Sequence, residues 1–396
     1  MDVQPKAEQL AQAERFVAEV SAADGLAPLD VERFWADDER AQRDPWAADC
    51  PQTPLGIRMS NECVWAELNA PEEWFRLLHD DDFRVGLERR YNDLAQKIVG
   101  RRLLGETRPD PQRVWPSTKG LADLFEARNI WQDWSYWLQA AASTPDELKA
   151  LLDRVDRRLE RPREFLLPPN WDEEKVRLRA LGVPPPRYRG QRGPVTFAMS
   201  VYGVENLIFL LMDQPDLAVR LRGAILRAIL TIARVLDEEA GDTPAQAPKG
   251  WWWADDNCAM LNAEMYETFA YPILKGVFDI YAPGPGDIRY QHSDSDMGHL
   301  LPLLGKLGLT GCNFGPRLTV TEIRDQLPRA LIHGQMAPFT FSRNDRVRIV
   351  AECLRDIEMA EEKRGLILAT AGSVNNGSRL TSLRLIMSTI QRYGRY

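Results

Sequence analysis

Cysteine is scarce in this 396-residue chain, and its spacing gives no framework. Cys50, Cys63, Cys258, Cys312 and Cys353 are scattered, odd in number and without a Cys-x-x-Cys step. That pattern excludes a secreted disulfide scaffold and suits reduced thiols in a cytoplasm. Long apolar runs are missing as well. A membrane helix needs roughly 18 to 20 uninterrupted apolar residues. The greasiest stretch here, Phe197 to Met212, is broken by Ser200, Tyr202, Gly203, Glu205 and Asn206. No membrane association is expected. Nor is there an excess of basic residues: the net charge is -8, whereas phosphate attraction needs a basic face, so no nucleic-acid partner is expected. The first residues are polar and helical in pattern and lack the basic-then-apolar layout of a signal peptide, so the expected location is cytoplasmic. A Gly-rich dinucleotide fingerprint is also absent, and histidine occurs only four times.

What remains is an ordinary globular composition, 44% hydrophobic and 27% charged. A chain of this length buries a sizeable core without disulfide or metal staples. To about residue 110 it reads as helices joined by Pro- and Asp-rich loops. Helical spacing covers Ala7 to Ala22 and Phe83 to Leu104, and another helix starts at Pro71 with acids in its first turn. Thr144 is the expected N-cap of a further helix that has Pro145 at its first position. The segment from Arg161 to Gly193 reads as a Pro- and Arg-rich loop.

From Gly193 the pattern changes. Short apolar runs of strand length alternate with helical patterns. The strand candidates are Val195 to Ser200, Gly250 to Asp255, Asp287 to His292, Gly311 to Phe314, Ala330 to His333 and Gly365 to Thr370. Expected helices include Val204 to Met212, Pro215 to Glu238, Ala263 to Tyr281, Met297 to Leu307, Val320 to Gln326, Arg343 to Glu361 and Arg379 to Tyr393. Strand, helix, strand repeated at this spacing marks parallel βα units. The expected fold is an α/β protein, a (β/α)8 TIM barrel over residues 111–396 with a helical N-terminal extension over 1–110 packed on it. In such barrels the chemistry sits where strands end and loops begin.

Several segments together resemble the uroporphyrinogen decarboxylase superfamily, which also holds zinc methyltransferases serving corrinoid proteins and coenzyme M. GPVTFAMSVYGVENL (193–207) is similar to its Gly-Pro-x-Thr segment. WADDNCAMLNAEMYETFAYPILKGVFD (253–279) resembles its strand ending in Asp-Asp. HSDSDMGHLLPLLGKLGLTGCNFGP (292–316) resembles its His-x-Cys segment, helix and Asn-Phe-Gly-Pro strand end. IHGQMAP (332–338) stands where the family has Gly-Asn-x-x-Pro, and the order holds through 365–384. The C-terminal half is covered well and the first 190 or so residues only loosely. The departures fall on the chemistry. The methyltransferases hold zinc through His-x-Cys and a distant second Cys. Here His292 is kept, but Asp294 and Gly372 stand at the two cysteine positions. The Arg-Gln-Ala-Gly-Arg motif of the decarboxylases is not found, and their late Gly-His-Gly histidine has no counterpart in ATAGSVNN.

His292 and Asp294, two apart at a strand end, project to one side. They read either as a hydrogen-bonded pair that orders the loop, or as a site for proton transfer or a hard N/O metal site. With His333 in the same cavity they would form a facial set for one divalent metal, zinc or iron. Asp296 is the expected cap of the following helix, and His299 is expected at the surface or in packing. Asp255 and Asp256 end a strand after three tryptophans; they share a proton or hold a cation, or one caps a turn and the other is solvated. One of the tryptophans, with Trp253 the candidate, faces inward as packing or as a surface for a flat substrate. Tyr202 is placed to lend its hydroxyl to a substrate oxyanion, as a tyrosine does in the decarboxylases. Asn313, Gln335 and Ser373 are candidates for orienting a ligand, and Arg289, with Arg58, Arg187, Arg189 and Arg192, for binding carboxylates.

An enzyme is expected, because polar and ionisable residues recur at strand ends. The expected reaction is methyl or C1 transfer, or decarboxylation, of a small or tetrapyrrole-like organic substrate. His292, Asp294, Tyr202 and Asp255 form the catalytic set, with Trp253, Asp256, Asn313, Gln335, Ser373 and Arg289 binding substrate. The alternatives are uroporphyrinogen decarboxylation proper, or a non-catalytic ligand-binding barrel that partners a corrinoid protein. A corrinoid-protein partner and a homodimer are what the resemblance implies.

Overall fold

The computed structural model describes residues 3–23, 25–243 and 245–395. Its strands are β1 (Arg128–Gln132), β2 (Ser135–Gln139), β3 (Gly190–Arg192), β4 (Trp251–Ala254), β5 (Arg289–Ser293), β6 (Gly311–Phe314), β7 (Leu331–Met336) and β8 (Leu366–Thr370). β1 and β2 pair antiparallel as a hairpin, and the other six follow chain order, β3-β4-β5-β6-β7-β8. Helices separate the consecutive strands from β4 onward. This is the mixed α/β class that the alternation predicts. No single helix among the described residues is long and apolar enough to cross a membrane.

The chain divides into two compact units, Met1–Arg108 with His292–Tyr396, and Pro109–Gln291. In the first, β6, β7 and β8 lie in parallel register, with Cys312 beside Ile332 and His333 beside Ile367. Every residue of β6 and β8 is buried, as parallel strands covered on both faces require. The segment after Pro54 extends the ladder, with Gly56 N–H donating to Leu368 O at 2.8 Å. The helix Ala7–Ala22 packs on Arg346–Ala360, and Asp81–Val99 on Leu380–Tyr393. The helix expected over 343–361 breaks at Asn344 (φ 56°), where Asp345 accepts the Arg348 N–H at 3.1 Å and caps the new start.

In the second unit, β3 and β4 pair in parallel, and the tryptophans alternate as a strand demands: Trp251 and Trp253 are buried and Trp252 is 48% exposed. The helix Pro215–Ala240 opens on a proline and runs 26 residues. Thr144 caps Pro145–Glu160 as expected, accepting the Glu147 N–H at 3.3 Å. Three expectations are corrected. Residues 195–200 are not a strand but part of the helix Pro194–Tyr202; the strand beside β4 is the short polar segment Gly190–Arg192. The loop expected over 161–193 holds the helices Pro162–Leu166 and Trp171–Ala180. The helix expected over 263–281 is two, Ala263–Phe269 and Tyr271–Tyr281, with Pro272 in the first turn of the second, where a missing N–H costs nothing.

The helix Pro194–Tyr202 has a physical cause that lies 60 residues downstream. Its N-cap, Gly193, carries no side chain to cap with. Asp255 does that work: Oδ1 accepts the Thr196 N–H at 2.8 Å and the Thr196 hydroxyl at 2.7 Å, and Oδ2 accepts the Val195 N–H at 3.3 Å. A Cβ on residue 193 would stand 2.0 Å from the Cβ of Asp255. Glycine there makes room for the cap.

Candidate functional site

In the first unit, β5 delivers His292 half-buried at its end, with Asp294 in the loop beyond. β6 supplies Asn313, which is buried. The Asn313 amide nitrogen donates to two backbone carbonyls, His333 O at 2.5 Å and Thr370 O at 2.9 Å. Those two acceptors orient the amide, so its oxygen faces the histidine. The distance from His292 Nδ1 to Asn313 Oδ1 is 2.8 Å, and an amide oxygen only accepts. His292 therefore carries a proton on Nδ1. Its other nitrogen, Nε2, stands 3.2 Å from Asp294 Oδ1. A lone pair against a carboxylate repels, whereas a proton on Nε2 is attracted from both sides. The geometry suits a ring that holds and hands over a proton.

Asp294 also lines a cavity of about 810 Å³ formed by the loops that follow β5, β6, β7 and β8. Ser373 lines it too, as do Asp296, Arg317, Phe339 and Arg343. Gly372 lies behind Asp294 with φ 115°, and a Cβ on it would be 2.3 Å from Asp294 Oδ1. The positions of the family's two thiolates thus meet in space, but an aspartate and a glycine occupy them. The thiolate-zinc set does not fit. All five cysteines are buried free thiols, and Cys312 is pushed up to about 12 by burial, so it stays protonated. Among the described residues no cysteine gathers with His292 and Asp294 within 4.8 Å, and neither does His333. His292 and Asp294 offer nitrogen and oxygen donors of the kind that a hard or borderline ion accepts. Burial first, and Arg58 second, pull His333 below the usual histidine range, so its ring stays neutral.

Other expected residues do different work. Gln335 is fully buried and clamps the loop after β6, donating to Gly315 O at 3.2 Å and Leu318 O at 3.0 Å. Asp296 is not the expected helix cap, because Met297 caps the short turn Gly298–Leu300 and the helix starts only at Leu301. Its Oδ1 accepts the Gly298 N–H at 3.4 Å, and its Oδ2 lies 3.5 Å from Arg317 Nη1. His299 is exposed in a short turn. The cavity wall after β7 is tied to a buried acid that sequence reading passed over. Glu352 accepts the Ala337 N–H at 2.8 Å, the Thr340 hydroxyl at 2.9 Å and Arg348 Nε at 3.0 Å. A carboxylate inside an amphipathic helix gives no local signal that its partners lie on another strand's loop.

In the second unit, Asp255 is wholly buried, and desolvation pushes it up to about 6 despite the bonds from Thr196 and Val195. Asp256 beside it is half-buried. Tyr202 is the buried last residue of its helix, and burial raises its phenol, which keeps the hydroxyl protonated as a donor. Arg289 starts β5 and holds the preceding loop, donating to Ala282 O at 2.9 Å. Arg189 forms a two-pronged pair with Asp237 at 2.7 Å, and Arg187 meets Asp242 at 2.5 Å. The carboxylates those two arginines bind belong to the chain itself.

A family profile, Uroporphyrinogen decarboxylase (URO-D), matches residues 190–393. The chain belongs to the uroporphyrinogen decarboxylase family. The fold of that family is the (β/α)8 barrel expected from the strand and helix alternation. Among solved structures, a methyltransferase from Methanosarcina mazei is similar, with a TM-score of 0.52 and 14% identity over 90% of this chain and 98% of that one. At that identity the likeness speaks for the fold. No curated protein sequence matches the chain.

Proposed function

We propose that this member of the uroporphyrinogen decarboxylase family is an enzyme that decarboxylates a small or tetrapyrrole-like organic acid, with His292 as the proton donor. The observation that carries this is the fixed tautomer. Asn313 holds the Nδ1 proton, so Nε2, beside Asp294, is the nitrogen that exchanges one. Asp294 opens onto the cavity, its side chain 49% exposed. In the step proposed, the bond between carbon and carboxylate breaks, its electron pair stays on the carbon, and carbon dioxide leaves. The carbon then takes the Nε2 proton, and solvent returns one to the ring. Asp294 stabilises the imidazolium before the transfer. Tyr202 and Asp255, candidates for catalysis in the sequence, take other places here: Asp255 serves as a helix cap and Tyr202 keeps its hydroxyl protonated, both within the other unit.

Methyl transfer through a thiolate-bound zinc has no thiolate donors at positions 294 and 372, where Asp294 and Gly372 stand, so a corrinoid-protein partner is not part of this reading. The test is carbon dioxide release from a panel of carboxylated pyrroles, porphyrinogens and aromatic acids. His292→Ala and Asp294→Asn are expected to lower turnover by about 10²- to 10⁴-fold, the usual weight of a positioned acid. Full turnover by His292→Ala would sink the proposal.

A further inference from the structure

Three arginines line the cavity at the strand ends of the first unit: Arg317, Arg343 and Arg348. Two of them have carboxylate partners within the chain. Arg317 faces Asp296 at 3.5 Å, and Arg348 faces the buried Glu352 at 3.0 Å. Arg343 takes part in no ion pair among the described residues; its guanidinium carbon lies 5.7 Å from the centre of the Phe339 ring. Phe339 is 64% exposed and lines the same cavity. A cation without an acidic partner among the described residues and a flat apolar ring thus share one wall. That wall is held from behind, because Glu352 ties down Ala337 and Thr340 on either side of Phe339. A held wall needs little ordering when a ligand arrives.

We infer that Arg343 and Phe339 form the substrate-anchoring wall of this cavity, and that its ligand is an organic acid with a carboxylate next to a flat, conjugated body. The guanidinium takes the carboxylate in a charge-assisted, two-pronged hydrogen bond. The body covers Phe339, removing its exposed face from water. Ser373, on the loop after β8, adds a neutral hydroxyl to the same cavity. Neither residue stands out in the sequence, since the arginine follows a five-residue helix as its C-cap and reads as a surface charge. The inference rests on the cavity being the substrate site, as proposed above.

The test is calorimetric titration of the full chain with 2-naphthoate and with its uncharged relative 2-naphthamide. Wild-type protein is expected to bind naphthoate at least about tenfold more tightly than the amide, the scale of one charge-assisted hydrogen bond. Arg343→Gln should erase that preference without changing amide affinity, and Phe339→Ala should weaken both ligands. Both side chains are exposed, so the variants are expected to keep the wild-type circular dichroism spectrum. Lack of naphthoate binding by wild type, or an Arg343→Gln affinity within about threefold of wild type, overturns the anchor. His292→Ala separates the two readings. Lost turnover in His292→Ala with unchanged naphthoate affinity in Arg343→Gln keeps the acid and removes the anchor. Lost affinity in Arg343→Gln, with no acid decarboxylated by wild type, does the reverse.

Discussion

Gly372 has no side chain where Asp294 needs space: a Cβ there would stand 2.3 Å from Asp294 Oδ1. The backbone at Gly372 also has φ 115°, a conformation open to glycine and strained for any other residue. Gly372→Ala should therefore push Asp294 away from His292 and cost stability, about 1 to 3 kcal/mol for the backbone alone. A thermal melt reads the second effect. The first is read from the pH dependence of the His292 ring protons by NMR, which should change in Gly372→Ala. An unchanged His292 titration would separate Gly372 from the site.

Asn313 ties β6 to β7 and β8 and sets the tautomer of His292. Asn313→Leu removes the amide that donates to two backbone carbonyls and accepts from the imidazole N–H. Losing buried hydrogen bonds costs about 0.5 to 1.5 kcal/mol each, so a clear fall in the denaturant midpoint is expected. Asn313→Asp is the sharper probe, because the new oxygen faces two carbonyls and repels them. It should destabilise the protein above the carboxylate's own pKa more than below it.

Asp255 gives a pH signature of stability. Burial raises it from 3.8 to about 6 in the folded chain. The folded state then holds its proton more tightly than the unfolded state does. The stability from this group is fully present below pH 3.8 and is lost as the pH rises through about 6. The span is on the order of 3 kcal/mol, from 1.36 kcal/mol for each pH unit. Asp255→Asn cannot ionise, so the stability difference between wild type and variant should change by that amount between pH 4 and pH 7. Parallel stability curves for the two proteins in urea across that range would show that Asp255 is not buried as described.

Metal content is the fourth expectation. His292 and Asp294 have no thiolate beside them among the described residues, which disfavours a thiolate zinc site. Purified protein should hold well under one equivalent of zinc or iron, and a strong chelator should leave naphthoate affinity and turnover unchanged. Stoichiometric metal, lost together in His292→Ala and Asp294→Asn, would point instead to a metal held by His292 and Asp294.

Much of this was legible residue by residue. Strands β4 to β8 fall within one to three residues of the expected runs at most ends, because buried parallel strands advertise themselves as short apolar stretches between helical patterns. The site was half legible. His292 and Asp294 meet because alternation along an extended chain places them on one side. Asn313 was picked out as a polar residue at a strand end, but its work is to orient His292. Arg187 and Arg189 were indistinguishable from ligand-binding arginines until Asp242 and Asp237 were seen beside them.

Local periodicity and composition were enough for the class of fold, the order of its strands and the place along the chain where its chemistry gathers, since those follow from which faces must leave water. Only the folded chain decided that Val195–Ser200 is helical, that Gly372 stands against Asp294 and that Arg343 has no acidic partner among the described residues. Each of those depends on a group 60 or more residues away or on the absence of one nearby, and hydrogen bonds and contacts across such distances leave no periodic trace in the sequence.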